Sequence, residues 1–443
     1  LNEGIMSVLD IVQTIQQNVP IPEWKVKSGN IGTGVFVSTE VCNEWTKQEF
    51  AKEQTWCIFG TGEGYVYFEL AKRLVQAGHS PETVFTSGML VGYDIDQESV
   101  NIIKEKVCNL FGIDKDLVTV YNKDYFELEK TVKFDNFIIN SPYLDGSKGN
   151  IPVSHKHIGK ALEHWNRSGK GFSITKSSPA LSDERYGDEV RNFVTSKEYN
   201  GFKVRFLPDD AFPNAIVRSW YLGFDKTKDN SVVEVYGKEG NLEYVFDKSK
   251  DTYIFPTKMT KDIVELVKTS QNKKSHYEIK RVDTVKEINN NVDTVTLIDS
   301  GEKTIEKTNY VHNDYGSFGF GMRFQVGGDV TDAFRSHTHH SCFINDNETI
   351  KKDYAFCRSK DKKDALSGLY QISHPLNAWI HAHTRTSEQS SRQPQFKFCC
   401  RITTDEFYAK WPEGNPGVKE YFDYWNIPAD YQTQILDWYS KYV

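Results

Sequence analysis

The 443-residue sequence has few cysteines and methionines and no apolar run that approaches the length of a membrane span. A transmembrane helix needs about 20 consecutive apolar residues, so no membrane association is expected. The first residues also lack the basic and apolar regions of a signal peptide. The seven cysteines are odd in number and lie mostly in apolar runs, which argues against a secreted disulfide framework, and their spacing suggests no zinc site. They are Cys42, Cys57, Cys108, Cys342, Cys357, Cys399 and Cys400. We expect a cytoplasmic protein without a structural metal.

The sequence also lacks the excess of basic residues that strong nucleic-acid binders carry, since its formal net charge is -7. The acidic excess is confined to residues 1–257, with 29 Lys and Arg against 36 Asp and Glu, whereas residues 258–443 hold 25 of each. A chain of this length buries a large core and is expected to form two domains. Polar residues from Asp225 to Asp251 predict the boundary, which gives domains 1–250 and 251–443.

A tetrad at the end of an apolar run is the first feature that indicates chemistry. The run Phe134–Ile139 predicts a buried strand, and Asn140-Ser141-Pro142-Tyr143 follows it directly. Ligands of open α/β sheets bind at the carboxyl ends of strands. The Asn140 side-chain oxygen and the Ser141 carbonyl can accept both hydrogens of an exocyclic amine, which makes its nitrogen more nucleophilic. Tyr143 can lie against the ring. The alternative is an Asx-type turn over a buried tyrosine.

Two upstream segments predict a nucleotide-binding site. The apolar strand Trp56–Phe59 runs into the glycine loop Gly60-Thr61-Gly62-Glu63-Gly64, and a helical pattern follows. A second strand, Met89–Asp96, ends in carboxylates, and a carboxylate there can accept both hydroxyls of a ribose. A glycine turn alone is weak evidence, because many nucleotide-binding folds use one.

In order and spacing, these segments resemble the S-adenosylmethionine-dependent amino-methyltransferases that modify adenine N6 in DNA. The resemblance covers about the first half of the chain. It implies a doubly wound, Rossmann-like α/β sheet, followed by a mixed α+β domain that recognises the DNA target. It also implies S-adenosyl-L-methionine as cofactor, double-stranded DNA as substrate, and a cognate restriction enzyme as a candidate partner.

The resemblance assigns a role to each matching segment. Gly32–Glu40 would wrap the methionine end of the cofactor, the glycine loop would surround the methionine, Asp94 would hold the ribose, and Asp124 would read the adenine amine. The residues expected to bind the cofactor are Thr33, Gly34, Val35, Phe36, Gly60, Gly62, Gly64, Asp94, Ile95, Asp124 and Tyr125. The residues expected at the reacting centre are Asn140, Ser141, Pro142 and Tyr143, with Phe212 as a second ring over a flipped base.

The sequence departs from the family pattern at three places. Ser141 stands where the family has proline, but the backbone carbonyl at that position is kept. Ile58-Phe59 replaces the usual acidic residue before the glycines, so the methionine ammonium has no assigned partner and Glu63 is a candidate substitute. The glycine loop is longer than in the family, so the resemblance does not select among its three glycines.

A cluster of positive charge in the second half predicts contact with phosphates, and a solvated surface is the alternative. The lysines assigned to DNA binding are Lys351, Lys352, Lys360, Lys362 and Lys363. Five histidines invite a metal interpretation, which the lack of Cys or carboxylate ligands at closed-site spacing disfavours. These histidines are His337, His339, His340, His381 and His383.

Three functions remain open at this stage. The leading one is adenine-N6 methylation of a specific DNA sequence with base flipping, in a restriction-modification or viral system. The second keeps the chemistry but acts on cytosine N4, RNA or a protein glutamine amide; Phe212 and the long second half favour a polynucleotide. The third is a binding protein that has kept the fold and lost the activity, consistent with the missing acidic residue.

Overall fold

The structure is a computed structural model. It describes residues 33–142, 153–182, 185–208, 210–212, 218–270, 361–384 and 398–442, and the backbone of strands 144–145, 151–152, 279–281, 295–299, 302–306, 318–325, 338–344, 348–350 and 355–359. The chain divides into two compact units, Leu1–Pro256 and Thr257–Val443.

The first unit alternates helices with strands. Its helices are α1 (Gly34–Cys42), α2 (Lys47–Phe50), α3 (Tyr65–Gln76), α4 (Pro81–Thr86), α5 (Gln97–Phe111), α6 (Ser154–His164) and α7 (Arg185–Thr195). Its strands are β1 (Trp56–Phe59), β2 (Leu90–Asp94), β3 (Val120–Asn122), β4 (Asn136–Asn140), β5 (Leu144–Asp145), β6 (Ile151–Pro152), β7 (Lys170–Lys176), β8 (Gly201–Phe206), β9 (Ser219–Asp225), β10 (Val232–Tyr236) and β11 (Leu242–Asp247).

Among the described residues, nine of these strands form one sheet in the order β11-β10-β8-β9-β7-β4-β1-β2-β3. Strand β1 pairs in parallel with β2 and β4, and β4 pairs in parallel with β7, while β9 runs antiparallel between β7 and β8. The strand order reverses between β1 and β4, which is the switch point where doubly wound sheets bind ligands. The predicted doubly wound, Rossmann-like fold is confirmed.

A core of aromatic and branched side chains holds helices α1 and α3 against one face of this sheet. Val37 and Val41 of α1 are fully buried, as are Leu70 and Leu74 of α3, because each pair lies four residues apart on one helical face. This packing fixes the start of α1 beside the carboxyl ends of the central strands.

Residues 225–251, predicted to be a boundary region, instead extend the sheet. Strand β10 pairs in parallel with β8 and antiparallel with β11. Val233 and Val235 alternate with half-buried neighbours and, like Phe246, are fully buried. These strands are short and lie between charged turns, so the alternation of apolar and polar residues was too brief to predict them as strands.

The second unit mixes helices and strands. Its helices are α8 (Lys258–Ser270), α9 (Lys362–Ser373), α10 (Pro375–Thr384), α11 (Thr404–Lys410), α12 (Val418–Tyr424) and α13 (Ala429–Tyr442). Its strands are β12 (Ile279–Arg281), β13 (Val295–Asp299), β14 (Glu302–Glu306), β15 (Phe318–Gln325), β16 (Thr338–Ile344), β17 (Glu348–Ile350) and β18 (Ala355–Ser359). They form a sheet in the order β12-β18-β15-β16 and another in the order β14-β13-β17. No helix in the described part of either unit is long and apolar enough to cross a membrane.

Candidate active site

The carboxyl ends of β1, β2 and β4 bring the predicted site residues to one edge of the sheet. Phe59 and Ile139 are paired neighbours, so Gly60 and Asn140 follow side by side. A Cβ on Gly60 would lie 3.9 Å from the Asn140 carbonyl oxygen. The glycine loop and the tetrad are therefore adjacent in space, although 80 residues separate them in sequence.

The glycine loop needs all three of its glycines. Gly60, Gly62 and Gly64 have φ angles of +79°, +50° and +89°, a region that side-chain-bearing residues rarely adopt. A Cβ on Gly64 would also lie 3.0 Å from the Ile103 and Phe68 side chains. These glycines therefore have a conformational role that holds whichever of them contacts a ligand.

Asp94, at the end of β2, is hydrogen-bonded to this loop. Its Oδ2 accepts the Gly62 N–H at 2.7 Å and the Thr61 hydroxyl at 3.4 Å, while Oδ1 accepts the Asp96 N–H at 2.9 Å. A carboxylate oxygen can accept more than one hydrogen bond, so these contacts orient Asp94 without using all of its capacity to accept hydrogen bonds. The next residue, Ile95, is 72% exposed.

Asp124 lies after β3, where its Oδ1 accepts the Phe126 N–H at 2.9 Å and caps a short 3-10 turn. Phe126 is 40% exposed, whereas Tyr125 is buried and its ring packs 5.3 Å from that of Phe59. The edge thus presents two carboxylates, Asp94 and Asp124, together with the exposed apolar side chains of Ile95 and Phe126. Apolar walls with a few polar groups suit a flat heterocycle attached to a sugar.

His157 of α6 was missed by the sequence reasoning, because a histidine after the tetrad follows no recognised motif. Its Nδ1 forms a hydrogen bond with the Tyr125 hydroxyl, and its ring lies edge-on to Phe126 at 5.0 Å. Burial lowers the pKa of His157 to about 4, against the opposing charge of Asp124. The imidazole is therefore neutral at physiological pH and shares one proton with the Tyr125 hydroxyl in this hydrogen bond.

Hydrogen bonds hold three residues of the tetrad in place. The Asn140 side-chain nitrogen donates to the Thr33 hydroxyl at 2.9 Å. Ser141 is buried, and its N–H donates to the Ile174 carbonyl of β7 at 3.4 Å. The Pro142 carbonyl accepts the Ser154 hydroxyl, at the start of α6, at 3.2 Å. Tyr143 lies outside the described residues.

The segment before β1 supplies the remaining predicted cofactor residues. Thr33 precedes α1, and Gly34 begins it with a φ of +66°. Val35 and Phe36 are both exposed on the first turn. Thr33 thus lies at the carboxyl edge through its contact with Asn140.

Two further predicted side chains, those of Phe212 and Glu63, are buried. Phe212, expected to cover a flipped base, is only 3% exposed and packs in the core that also holds Val37. In this conformation it presents no ring face to a ligand, because the fold uses its large apolar surface for the core. Glu63, the candidate substitute for the missing acidic residue, is also buried. Burial lowers the pKa of Lys106 on α5, and the negative charge of Glu63 acts in the opposite direction and raises it.

In the second unit, Lys362 and Lys363 are exposed on the first turn of α9. Lys351, Lys352 and Lys360 lie outside the described residues, so the basic cluster stays a prediction. His381, one of the five histidines, lies with Nε2 3.0 Å from the Cys399 sulfur in the buried interior. Burial raises the pKa of Cys399 to about 12, so it is a thiol at physiological pH. Within the described part of the chain, no three metal-ligating side chains group together.

Fold and site together define a doubly wound α/β protein with a glycine loop, two carboxylates and an asparagine at the carboxyl edge of its sheet. A scan against protein-family models finds no match, and a search of the curated proteins finds none.

A comparison with solved structures matches the type IIG restriction endonuclease BpuSI, with a TM-score of 0.45 and 9% identity over 93% of this chain and 66% of that one. A type I restriction-modification methyltransferase subunit from Streptococcus thermophilus gives a TM-score of 0.34 and 14% identity over 48% of this chain and 50% of that one. Magnesium protoporphyrin IX methyltransferase from Synechocystis, solved with bound SAM, gives a TM-score of 0.30 and 14% identity over 48% of this chain and 89% of that one. The chain spans 66% of the length of the restriction endonuclease and 50% of the length of the methyltransferase subunit. The fold class rests on the strand order of the sheet, not on these scores.

Proposed function

We propose that this chain transfers a methyl group from S-adenosyl-L-methionine to the N6 amino group of adenine in a specific sequence of double-stranded DNA. The observation that carries the proposal is the adjacency of Gly60 and Asn140, which follow paired residues of β1 and β4. This adjacency supports a cofactor site and an amine-binding site that share one edge of the sheet. Methyl transfer requires the two reacting groups to lie in such proximity.

The cofactor would lie across the ends of β1, β2 and β3. Asp94 would accept hydrogen bonds from the ribose hydroxyls, and Asp124 from the adenine amine, through charge-assisted bonds. Ile95 and Phe126 would pack against the adenine ring, since both expose apolar surface beside these carboxylates. When bound, the cofactor supplies an electrophilic methyl group on a sulfonium.

The tetrad would activate the substrate amine. Asn140 Oδ1 and the Ser141 carbonyl would each accept one of its hydrogens, which draws the nitrogen lone pair out of the ring. The activated nitrogen would accept the methyl group that the cofactor supplies, with the thioether of the cofactor as leaving group, and one amine proton would pass to solvent. Ser141 preserves the carbonyl of the family's proline, and its N–H adds a bond to Ile174 that proline cannot make.

Recognition of DNA is assigned to the second unit and to the residue that stacks on the extruded base. Tyr143 keeps the stacking role in this proposal, whereas the burial of Phe212 limits its contribution to a conformation in which it leaves the core. The basic cluster around Lys362 and Lys363 would contact phosphates. A cognate restriction enzyme would be a partner in the same system.

One experiment tests the proposal and its alternatives together. The purified chain is incubated with radiolabelled cofactor and, separately, with mixed double-stranded DNA, RNA and a glutamine peptide, and the nucleic acids are then digested to nucleosides. Label in N6-methyldeoxyadenosine is the expected result. Label in N4-methyldeoxycytidine, in a ribonucleoside or in the peptide would replace the substrate named here. Cofactor binding by calorimetry without any transfer would indicate a binding protein.

A further inference from the structure

One face of α6 carries three side chains that bond to the segments at the carboxyl edge of the sheet. Ser154, His157 and Lys160 follow one another at three-residue intervals, a spacing that places side chains on the same side of a helix. The Ser154 hydroxyl donates to the Pro142 carbonyl of the tetrad at 3.2 Å. The other two side chains both contact the turn that follows Asp124. Helix α6 therefore touches the amine side and the cofactor side of the proposed site.

The turn in question is the short 3-10 turn Tyr125–Glu127, and α6 holds it at both ends. At its start, the Tyr125 hydroxyl is hydrogen-bonded to His157 Nδ1. At its end, the Leu128 carbonyl accepts a hydrogen bond from Lys160 Nζ at 3.4 Å. Hydrogen bonds within a 3-10 turn have poorer geometry than those of an α-helix, so contacts from the neighbouring helix contribute strongly to its position.

The His157 imidazole also supports the exposed ring of this turn. Phe126 is 40% exposed, and its ring lies edge-on to His157 at 5.0 Å and nearly parallel to Tyr125 at 5.2 Å. The Phe126 N–H donates to Asp124 Oδ1 at 2.9 Å, so the ring and the carboxylate belong to one hydrogen-bonded turn. The contacts of His157 therefore fix the part of the chain that carries both groups.

We infer that His157 is a positioning residue that holds this turn so that Phe126 and Asp124 meet the adenine of the cofactor. The inference rests on the proposed function, in which Asp124 accepts a hydrogen bond from the adenine amine and Phe126 packs against the ring. His157 acts through Tyr125 and Phe126 and takes no part in the methyl-transfer step. Its loss should therefore weaken cofactor binding and leave the chemical step unchanged.

Four variants separate this role from a general effect on the fold. His157→Leu removes the hydrogen bond at similar volume, whereas His157→Gln can still bond to the Tyr125 hydroxyl. Tyr125→Phe removes the same bond from the other side and keeps the ring. His164→Gln is a matched control on the same helix, because His164 Nδ1 bonds to the Val132 carbonyl at 2.8 Å, in the segment before β4.

The test measures the calorimetric Kd for S-adenosyl-L-methionine and, in DNA methylation, the cofactor KM and kcat. We expect His157→Leu and Tyr125→Phe each to raise Kd and KM about tenfold, the upper range for one neutral hydrogen bond, with kcat at saturating cofactor nearly unchanged. The double variant should bind no more weakly than either single one, because both remove the same bond. His157→Gln should recover most of the affinity, and His164→Gln should match wild type. A normal Kd in folded His157→Leu, or a lowered kcat with a normal KM, overturns the inference.

A second readout needs neither DNA nor cofactor. In protein labelled with ¹⁵N-phenylalanine, the backbone signal that disappears in Phe126→Leu identifies the Phe126 N–H. Its exchange with solvent should be faster in His157→Leu and Tyr125→Phe than in wild type or His164→Gln, because the turn opens more readily. Unchanged exchange overturns the inference even if the wild-type chain methylates DNA. A wild-type chain that binds the cofactor and methylates nothing overturns only the proposed function, so the two failures are distinguishable.

Discussion

The Gly62 N–H donates to Oδ2 of Asp94 at 2.7 Å, so the glycine loop after β1 and the carboxylate at the end of β2 are joined by a hydrogen bond. The same carboxylate accepts the Asp96 N–H through Oδ1 at 2.9 Å. A carboxylate held in this way loses little side-chain entropy when a sugar arrives, because its orientation is already fixed.

Asp94→Ala should weaken S-adenosylmethionine binding by roughly 1.5–3 kcal/mol, the typical contribution of a hydrogen bond to a charged group. Asp94→Asn should weaken it less, because the amide oxygen still accepts the Gly62 N–H. Calorimetry on both variants, with thermal unfolding to confirm that they are folded, measures the difference. An unchanged affinity in folded Asp94→Ala would remove this residue from the cofactor site.

The Tyr125–His157 hydrogen bond predicts a dependence of stability on pH. The pKa of His157 is about 4 in the folded protein, against an ordinary value of 6.5, because burial disfavours its charged form. Between these values the unfolded chain binds more protons than the folded one, so stability is lost as pH falls from about 6.5 through about 4. His155 and Lys156 lower the pKa further, whereas Asp124 raises it.

His157→Gln replaces the imidazole with a side chain that does not titrate and still offers an acceptor to Tyr125. Urea unfolding at several pH values should show that the acid-side loss of stability is smaller in this variant by roughly 2 kcal/mol. Buried His374, whose pKa is also lowered to about 4, supplies the control, because His374→Gln should act on the second unit. An identical pH profile for wild type and His157→Gln would contradict the prediction.

The burial of Phe212 predicts a loss of stability from its removal. Phe212→Ala should lower the free energy of unfolding of the first unit by about 3–5 kcal/mol, the usual cost of removing a buried phenylalanine. Denaturant unfolding measures this loss, and cofactor calorimetry below the transition should show normal affinity. Wild-type stability combined with lost activity would instead restore Phe212 to the stacking role.

Charge neutralisation tests the second unit. Replacing Lys351, Lys352, Lys360, Lys362 and Lys363 by Gln should weaken binding to all DNA sequences alike and flatten the salt dependence of the affinity, since phosphate contacts carry no base identity. Lys410→Gln, an exposed lysine at the end of α11, is the matched control. If affinity and salt slope stay at wild-type values, the cluster is a solvated surface.

Local patterns predicted the parts of the site that local conformation determines. Gly60, Gly62 and Gly64 lie where a strand turns into a helix, and their positive φ angles follow from that turn. Asn140 ends a run of buried residues, so its place at the sheet edge could be predicted from the apolar pattern alone.

Contacts between distant segments could not be predicted in the same way. Thr33 and Asn140 are 107 residues apart, and Tyr125 and His157 are 32 apart, so only the folded sheet and the packing of α6 bring them together. Phe212 was assigned from a resemblance in sequence, but its burial depends on the tertiary packing of the core cluster that also holds Val37. These two contacts and the burial of Phe212 depend on tertiary packing, which local sequence patterns do not specify.

The central claim is that Asn140 grips the amine that receives the methyl group. Single-turnover methylation of DNA by wild type and Asn140→Ala, with cofactor and DNA affinities measured in parallel, tests it most directly. The account predicts that the rate of N6-methyladenine formation falls at least about a hundredfold while both affinities change little, because the lost acceptor acts mainly as charge develops on the amine. Near-wild-type turnover by a folded Asn140→Ala chain would contradict it.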